Sequence, residues 1–394
     1  MRKKILSTIV TAGLVMSMLS ACGGSGTSTA SGSGSGSASS GSSDAPTLST
    51  TATVTSTSES SGSTSSAASE TTATTDASGK TFKVGIVQFM DHASLDQITE
   101  SIEAELDAKA AETGATFDYK DYFFNGQGDD SVLSQAMSQL KDDSVDIVIP
   151  IATPTVLKAQ SVFEDTDTPI VFSAVTDPVG ANLVASMDAP GGHITGTSDA
   201  LNTDTVMDLI FANDPDADNI GLLYSTSEDS STKAIADAKA YLDKKGIKYD
   251  EKTGTNSDEV SMAADSLVAD GVDAVFTPTD NTVMGAELAI YEKFTDAGIP
   301  HYAGADSFAL NGAFLGFGIS YKDLGTATAD MAVDILVNGK DPATMPVQTL
   351  DSGIATINTD TAAALGYDLT KVEEAFKPLT TEIVETTTSE KFEN

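Results

Sequence analysis

Beyond residue 80 the chain is a succession of short apolar runs separated by amphipathic stretches. Phe82-Lys83-Val84-Gly85-Ile86-Val87-Gln88-Phe89 is apolar and β-branched, and Ile98, Ile102, Leu106 and Ala110 then recur at four-residue intervals. The first pattern predicts a strand, the second one face of a helix. A strand over 117–124 and a helix over 132–140 follow. Val145–Ile151 and Pro169–Ser173 are runs apolar on both faces, with a helical stretch between them. Strands of that kind belong to parallel sheets covered by helices on both sides. The pattern restarts after Gly196. It predicts strands at 220–224, 247–249, 272–276, 300–303 and 313–319, with helices at 231–245, 258–269, 282–298 and 323–338, the last ending near Gly339. Two successive βα series predict an α/β fold of two Rossmann-like lobes with parallel sheets.

The first 80 residues follow neither period. Arg2-Lys3-Lys4 is a basic start and Ile5 to Met18 an apolar stretch too short to span a bilayer comfortably. Leu19-Ser20-Ala21-Cys22, followed by two glycines, resembles a bacterial lipobox, in which the signal is cut before the cysteine and the thiol takes a diacylglycerol. Residues 1–21 are therefore expected to be a lipoprotein signal peptide. Cys22 is the expected lipidation site, carrying two acyl chains and so enough for stable anchoring to the outer face of the cell membrane. Residues 22–79, almost entirely Ser, Thr, Gly and Ala, cannot bury enough apolar surface to offset ordering and are expected to be a flexible tether. The acidic stretch 380–394 is expected to be a flexible tail.

Charge narrows the function further. The chain carries 21 Lys+Arg against 58 Asp+Glu, a net −37, and Arg2 is its only arginine. Removal of the basic start leaves eighteen cations against 58 acids, a net of −40. Such a body repels phosphate backbones, which excludes nucleic acid as a partner, and it has no guanidinium with which to clamp phosphate. The single cysteine excludes a disulfide framework and a cysteine-based metal centre. His92, His193 and His301 lack metal-ligand spacing, and no phosphate loop or nucleophile elbow is present. Asp214–Asn219 opens like a calcium loop, but its twelfth position is Ser225 rather than Glu. No metal, cofactor or catalytic apparatus is expected, and the chain is not read as an enzyme.

In parallel sheets ligands sit beyond the carboxyl ends of the strands, where helix N-termini also point. Gln88, Phe89 and His92 follow the first strand, Gln127 the second, Thr153 the third, and Thr176 and Asp177 the fourth. Tyr224, Ser225 and Glu228, then Thr279, Asp280 and Asn281, then Asp306 occupy the corresponding positions of the second series. These hydroxyls, amides, rings and carboxylates suit a small zwitterion. Asp280 or Asp306 is expected to take its ammonium. Helix N-terminal amides with Thr153, Thr176 or Ser198 would take its carboxylate, while Phe89, Tyr224, Phe308 and Tyr321 would wall its side chain.

Gly85–Phe89 with His92 and Leu95-Asp96, Asn125–Asp129, Ile151–Pro154, Phe172–Gly180, Pro190–Gly192, Gly196–Asp199, Pro278–Thr282 and Gly304–Asp306 together resemble the TrpX-type substrate-binding proteins of ABC transporters. The resemblance runs from about Lys83 to Pro346. It implies a type I periplasmic-binding-protein fold with three hinge crossovers, near 198–199, 320–321 and 342–346. The N-terminal lobe would then comprise 80–198 and 321–341, and the C-terminal lobe 199–320 and 342–379. It implies a monomeric receptor that delivers an amino acid, aromatic ones such as tryptophan included, to permease and ATPase subunits. Gln88, Phe89, His92, Gln127, Thr153, Thr176, Asp177, Ser198, Asp199, Tyr224, Ser225, Thr279, Asp280, Asn281, Asp306 and Tyr321 form the expected ligand-binding set. Asp91, Ala93 and His193 stand where the family commonly has Glu, Pro and Asn, and the first two bear on ligand identity. A receptor for a sugar, nucleoside or other neutral solute, and a sensor subunit, are the alternatives on the same fold.

Overall fold

A computed structural model describes residues 77–392. The expected signal peptide, Cys22 and the 22–79 tether as far as residue 76 lie outside these residues. The first series opens with β1 (Thr81–Gln88), α1 (Ala93–Thr113), β2 (Thr116–Asp118), β3 (Phe123–Asn125) and α2 (Asp130–Asp142). It continues with β4 (Ile147–Ile151), α3 (Thr153–Phe163), β5 (Ile170–Phe172) and β6 (Ile194–Ser198). All five residues of β4 and the last five of β1 are buried, as strands covered on both faces require. The single strand expected at 117–124 is split. β2 pairs Thr81↔Thr116 whereas β3 pairs Ile86↔Phe123, so the offset grows by two residues and the turn at Lys120–Tyr122 takes up the surplus.

The second series runs α4 (Thr203–Asn213), β7 (Asn219–Tyr224), α5 (Asp229–Lys245), β8 (Lys248–Thr253), α6 (Ser257–Asp270) and β9 (Ala274–Thr277). It then runs α7 (Asn281–Met284), α8 (Glu287–Asp296), β10 (His301–Ala303), α9 (Asp306–Leu310) and β11 (Leu315–Gly318). The one helix expected over 282–298 is broken at Gly285, where an added Cβ would come within 3.1 Å of Met90 Cε from the first lobe. The chain closes with α10 (Tyr321–Leu336), β12 (Gln348–Thr349), β13 (Ile354–Asn358), α11 (Thr359–Ala364), α12 (Leu369–Phe376) and β14 (Glu382–Thr386).

These strands form two seven-stranded sheets. One has the order β12-β6-β5-β4-β1-β2, with β3 also on β1; the other has the order β14-β13-β11-β10-β9-β7-β8. Every pairing is parallel except β11 with β13. α10 returns to the first sheet and packs along α1. There Gly325 allows the close approach, because a Cβ would lie 2.5 Å from the Ile98 carbonyl oxygen. Thr328 of α10 is tied by hydroxyl contacts to Ser173 (2.9 Å) and Thr197 (2.8 Å).

The chain passes between the sheets after β6, after β11 and after β12. The last passage falls at 350–353, later than the expected 342–346, because Gln348 and Thr349 still pair with Thr197 and Ser198. Residues 380–392 also differ from the expected flexible tail over 380–394. β14 pairs in register with all of β13, and Asn311 donates a 2.7 Å hydrogen bond to the Ser389 carbonyl. Ile383, packed on the lobe's core, secures a segment whose acidic composition suggested a free tail. Among the described residues no helix is long and apolar enough to cross a membrane.

Candidate functional site

A cavity opens where the carboxyl ends of both sheets meet, with about 380 Å³ of space free of protein atoms. The first lobe contributes His92, Ser94 and Leu95 from the start of α1, Ala152 and Thr153 from the start of α3, Ala174 and Thr176 after β5, and Tyr321 from the start of α10. Asp199 lines it just after β6. The second lobe contributes Ser230 from α5, Thr279, Asp280, Asn281 and Met284 around α7, and Ala305, Ser307 and Phe308 around α9.

The lobes touch through specific hydrogen bonds around this space. His92 Nε2 lies 3.2 Å from Asn281 Oδ1, and the Thr176 and Thr279 hydroxyls are 2.9 Å apart. Ser94 Oγ donates to Asp306 Oδ1 at 2.7 Å and Gln97 Nε2 to Asp306 Oδ2 at 3.1 Å. These contacts hold the two lobes closed on the cavity.

Two features of the backbone are aimed at it. Ala152 has φ 77° and ψ 147°, and Ala174 has φ 56°. Non-glycine residues rarely adopt such angles, and strain of this kind concentrates at functional sites. In addition, α1, α3 and α9 begin at the cavity with no side-chain cap, from His92, Ala152 and Ala305 respectively. Asp129, Asn202 and Asn256 cap α2, α4 and α6, and Asp280 and Ser320 cap α7 and α10 at the cavity, whereas α5, α8 and α12 also start without a side-chain cap. The Thr153 N–H at the start of α3 and the positive end of its dipole suit a bound carboxylate, although Pro154 has no N–H and the Thr155 N–H donates to the Ala152 carbonyl (3.0 Å). The Thr153 hydroxyl beside them is buried and has no partner.

Electrostatically the cavity is acidic, and no lysine or arginine lines it. Asp199 is held up at about 6 by burial, against the opposing hydrogen bond from Thr176. It receives Thr176 Oγ1 at 3.0 Å and the Tyr321 hydroxyl at 3.4 Å. Asp280 is also raised by burial, but its oxygens accept from Ser225 N (2.6 Å), Ser231 Oγ (2.7 Å) and Val283 N (2.9 Å). Glu228 is raised first by burial and then by the charge of Asp280. Burial drives His92 down to about 4, despite the hydrogen bond to Asn281, so its ring is neutral at pH 7.

The chain matches the ABC transporter substrate binding protein family over residues 83–376. This chain belongs to that family. It is 34% identical over 299 residues to a tyrosine-binding protein of Clostridioides difficile, covering 76% of this chain and 84% of that protein. A Streptococcus pneumoniae ABC domain in complex with L-Trp superposes with a TM-score of 0.70 at 31% identity, over 77% of this chain and all of that one. A ligand-free, open substrate-binding protein with adhesive properties, from Clostridium difficile, gives 0.59 at 33% identity, over 78% of this chain and all of that one. At nearly equal identity the lobes here thus match the L-Trp complex better than the open form. The fold is that of the type I periplasmic binding proteins. The family binds small molecules for ABC transporters and is not enzymatic; substrate-binding proteins of ABC importers are extracytoplasmic.

In this substrate-binding protein, nine of the residues singled out from sequence line the cavity: His92, Thr153, Thr176, Asp199, Thr279, Asp280, Asn281, Phe308 and Tyr321. Asp306 sits at its rim, engaged by Ser94 and Gln97. The others lie elsewhere. Gln88 is buried under α1, bonded to Thr99, Asp96 and the Met90 carbonyl. Phe89 packs on the lobe core, and Gln127 is an exposed turn residue at φ 54°. Tyr224 turns outward to Glu251 (2.6 Å), and the Ser225 hydroxyl is taken up by Ser227 (2.7 Å). Asp177 and Ser198 line a neighbouring groove with Lys233 and Asp237. Of the carboxylates expected to take an ammonium, Asp280 accepts three internal donors and Asp306 two, while Asp199 accepts two, one of them long at 3.4 Å. Ser94, Leu95, Ala152, Ala174, Ser230, Met284, Ala305 and Ser307 were not anticipated.

Proposed function

We propose that this substrate-binding protein captures a small zwitterionic amino acid with an aromatic side chain between its lobes and hands it to the permease of an ABC importer. The observation that carries the reading is a cavity with opposite chemistry at two places. Asp199 is a buried carboxylate without a cationic partner, and the uncapped start of α3 adds the Thr153 amide and its unpartnered hydroxyl. The first suits an ammonium and the second a carboxylate, with no arginine needed. Leu95, Met284, Phe308 and Tyr321 supply apolar and aromatic surface for a ring. The names of the relatives, one tyrosine-binding and one complexed with L-Trp, support the same ligand class.

In this reading binding favours the closed arrangement because only that form contacts ligand from both lobes. Cys22 carries the diacylglycerol that holds the monomer at the outer face of the membrane, and 22–79 is its tether. Native mass spectrometry of protein purified without refolding tests the ligand class. One bound amino acid per chain is expected. A retained hexose or nucleoside mass would replace the amino-acid reading with that of a neutral-solute receptor.

A further inference from the structure

We infer that the side chain of the ligand ends in a hydrogen-bond donor and that His92 Nδ1 is its acceptor, which makes His92 a specificity-determining residue. The inference rests on the amino-acid reading above and names which members of that class the site prefers.

The argument is a chain of hydrogen bonds running from the second lobe to the first. Asn281 Nδ2 donates to buried Glu228 Oε2 at 3.2 Å. This orients the amide so that Oδ1 faces His92, 3.2 Å from Nε2. An amide oxygen only accepts, so the proton must sit on His92 Nε2. Burial keeps the imidazole neutral, and a neutral ring protonated at Nε2 carries a bare lone pair at Nδ1.

That lone pair is unused. His92 is the N-cap residue of α1 but makes no capping bond, and Nδ1 is shielded from solvent with no partner. The ring lines the cavity with Leu95, Met284 and Phe308, and no hydroxyl of that lining, those of Ser94 and Thr153 included, bonds Nδ1. A buried acceptor left unpaired is costly, and sites built to accept a substrate hydrogen bond discriminate strongly against analogues that lack the donor. A phenol O–H or an indole N–H meets the requirement; a phenyl or aliphatic side chain does not. Because Glu228 and Asn281 belong to one lobe and His92 to the other, the acceptor is defined when the lobes are closed.

The test has two parts. Calorimetric titration with L-tyrosine, L-tryptophan and L-phenylalanine should show at least one donor-bearing amino acid binding about tenfold or more tighter than phenylalanine. His92→Phe should remove that preference while phenylalanine still binds. Nitrogen-15 NMR of the ligand-bound, closed wild-type protein, whose three histidines make assignment simple, should show His92 protonated at Nε2. Its Nδ1 signal should shift with the preferred ligand and not with phenylalanine. Equal affinities for all three amino acids, or a proton on Nδ1, would overturn the donor assignment and leave the amino-acid reading intact. Binding of none of the three would overturn both.

Discussion

Asp199 is the cavity carboxylate with the fewest donors, one at 3.0 Å and one at 3.4 Å, and this makes it the group whose charge the ligand controls. Ionised Asp199 attracts an ammonium and protonated Asp199 does not. Amino-acid affinity is therefore expected to rise as pH increases through about 6, with protons released on binding at lower pH. Asp199→Asn should flatten that profile and weaken binding at pH 7.5 by about tenfold to a hundredfold, the worth of a hydrogen bond to a charged group. Calorimetry in buffers of different ionisation enthalpy reads both effects. Glu228 makes the opposite kind of contribution. Its folded-state affinity for a proton is raised by burial and by Asp280, so its stabilising effect is complete below the ordinary glutamate range and is lost as pH rises through the raised value. Glu228→Gln, which mimics the protonated side chain, should gain thermal stability relative to wild type as pH is raised from 5 to 9. A constant difference across that range would mean that Glu228 keeps its charge throughout.

At the scale of elements, the site is made by helix starts brought together at two sheet ends. The strands were legible because Val84–Val87 and Ile147–Ile151 are apolar on both faces, and the placing of ligand groups beyond their ends followed from that. Which residue of each helix start faces the cavity was less legible. Ser94, Leu95, Ser230 and Ser307 lie one or two residues into their helices, and their direction depends on how each helix sits on its sheet. Gln88 ends β1 and Ser225 follows β7, as expected, yet they turn into the lobes to bond Thr99 and Ser227. The strained backbones of Ala152 and Ala174 left no trace in sequence, because alanine does not advertise a positive φ as glycine does. Gly325 tests the helix packing that places Tyr321. Gly325→Ala would press a methyl against the Ile98 carbonyl and should destabilise the protein by about 1–3 kcal/mol in denaturant unfolding. An unchanged midpoint would show that α1 and α10 separate at no cost.

For the whole molecule, two lobes of strongly acidic protein close on a cavity that is itself acidic. In the proposed reading the attraction for a zwitterionic ligand therefore comes from its ammonium, while its carboxylate must be met by oriented backbone amides against the prevailing charge. Neither half of the zwitterion is dispensable in this account, and the lobe closure seen in the hydrogen bonds from His92, Ser94 and Thr176 couples the two. The most direct measurement is calorimetric titration of ligand-stripped protein with L-tyrosine, with tyramine, which lacks the carboxylate, and with 3-(4-hydroxyphenyl)propionate, which lacks the ammonium. The account predicts that the intact amino acid binds and that each analogue binds at least about tenfold more weakly, since each loses a charge-assisted set of hydrogen bonds. Binding of the deaminated acid as tightly as the amino acid, or no binding by the amino acid at all, would contradict it.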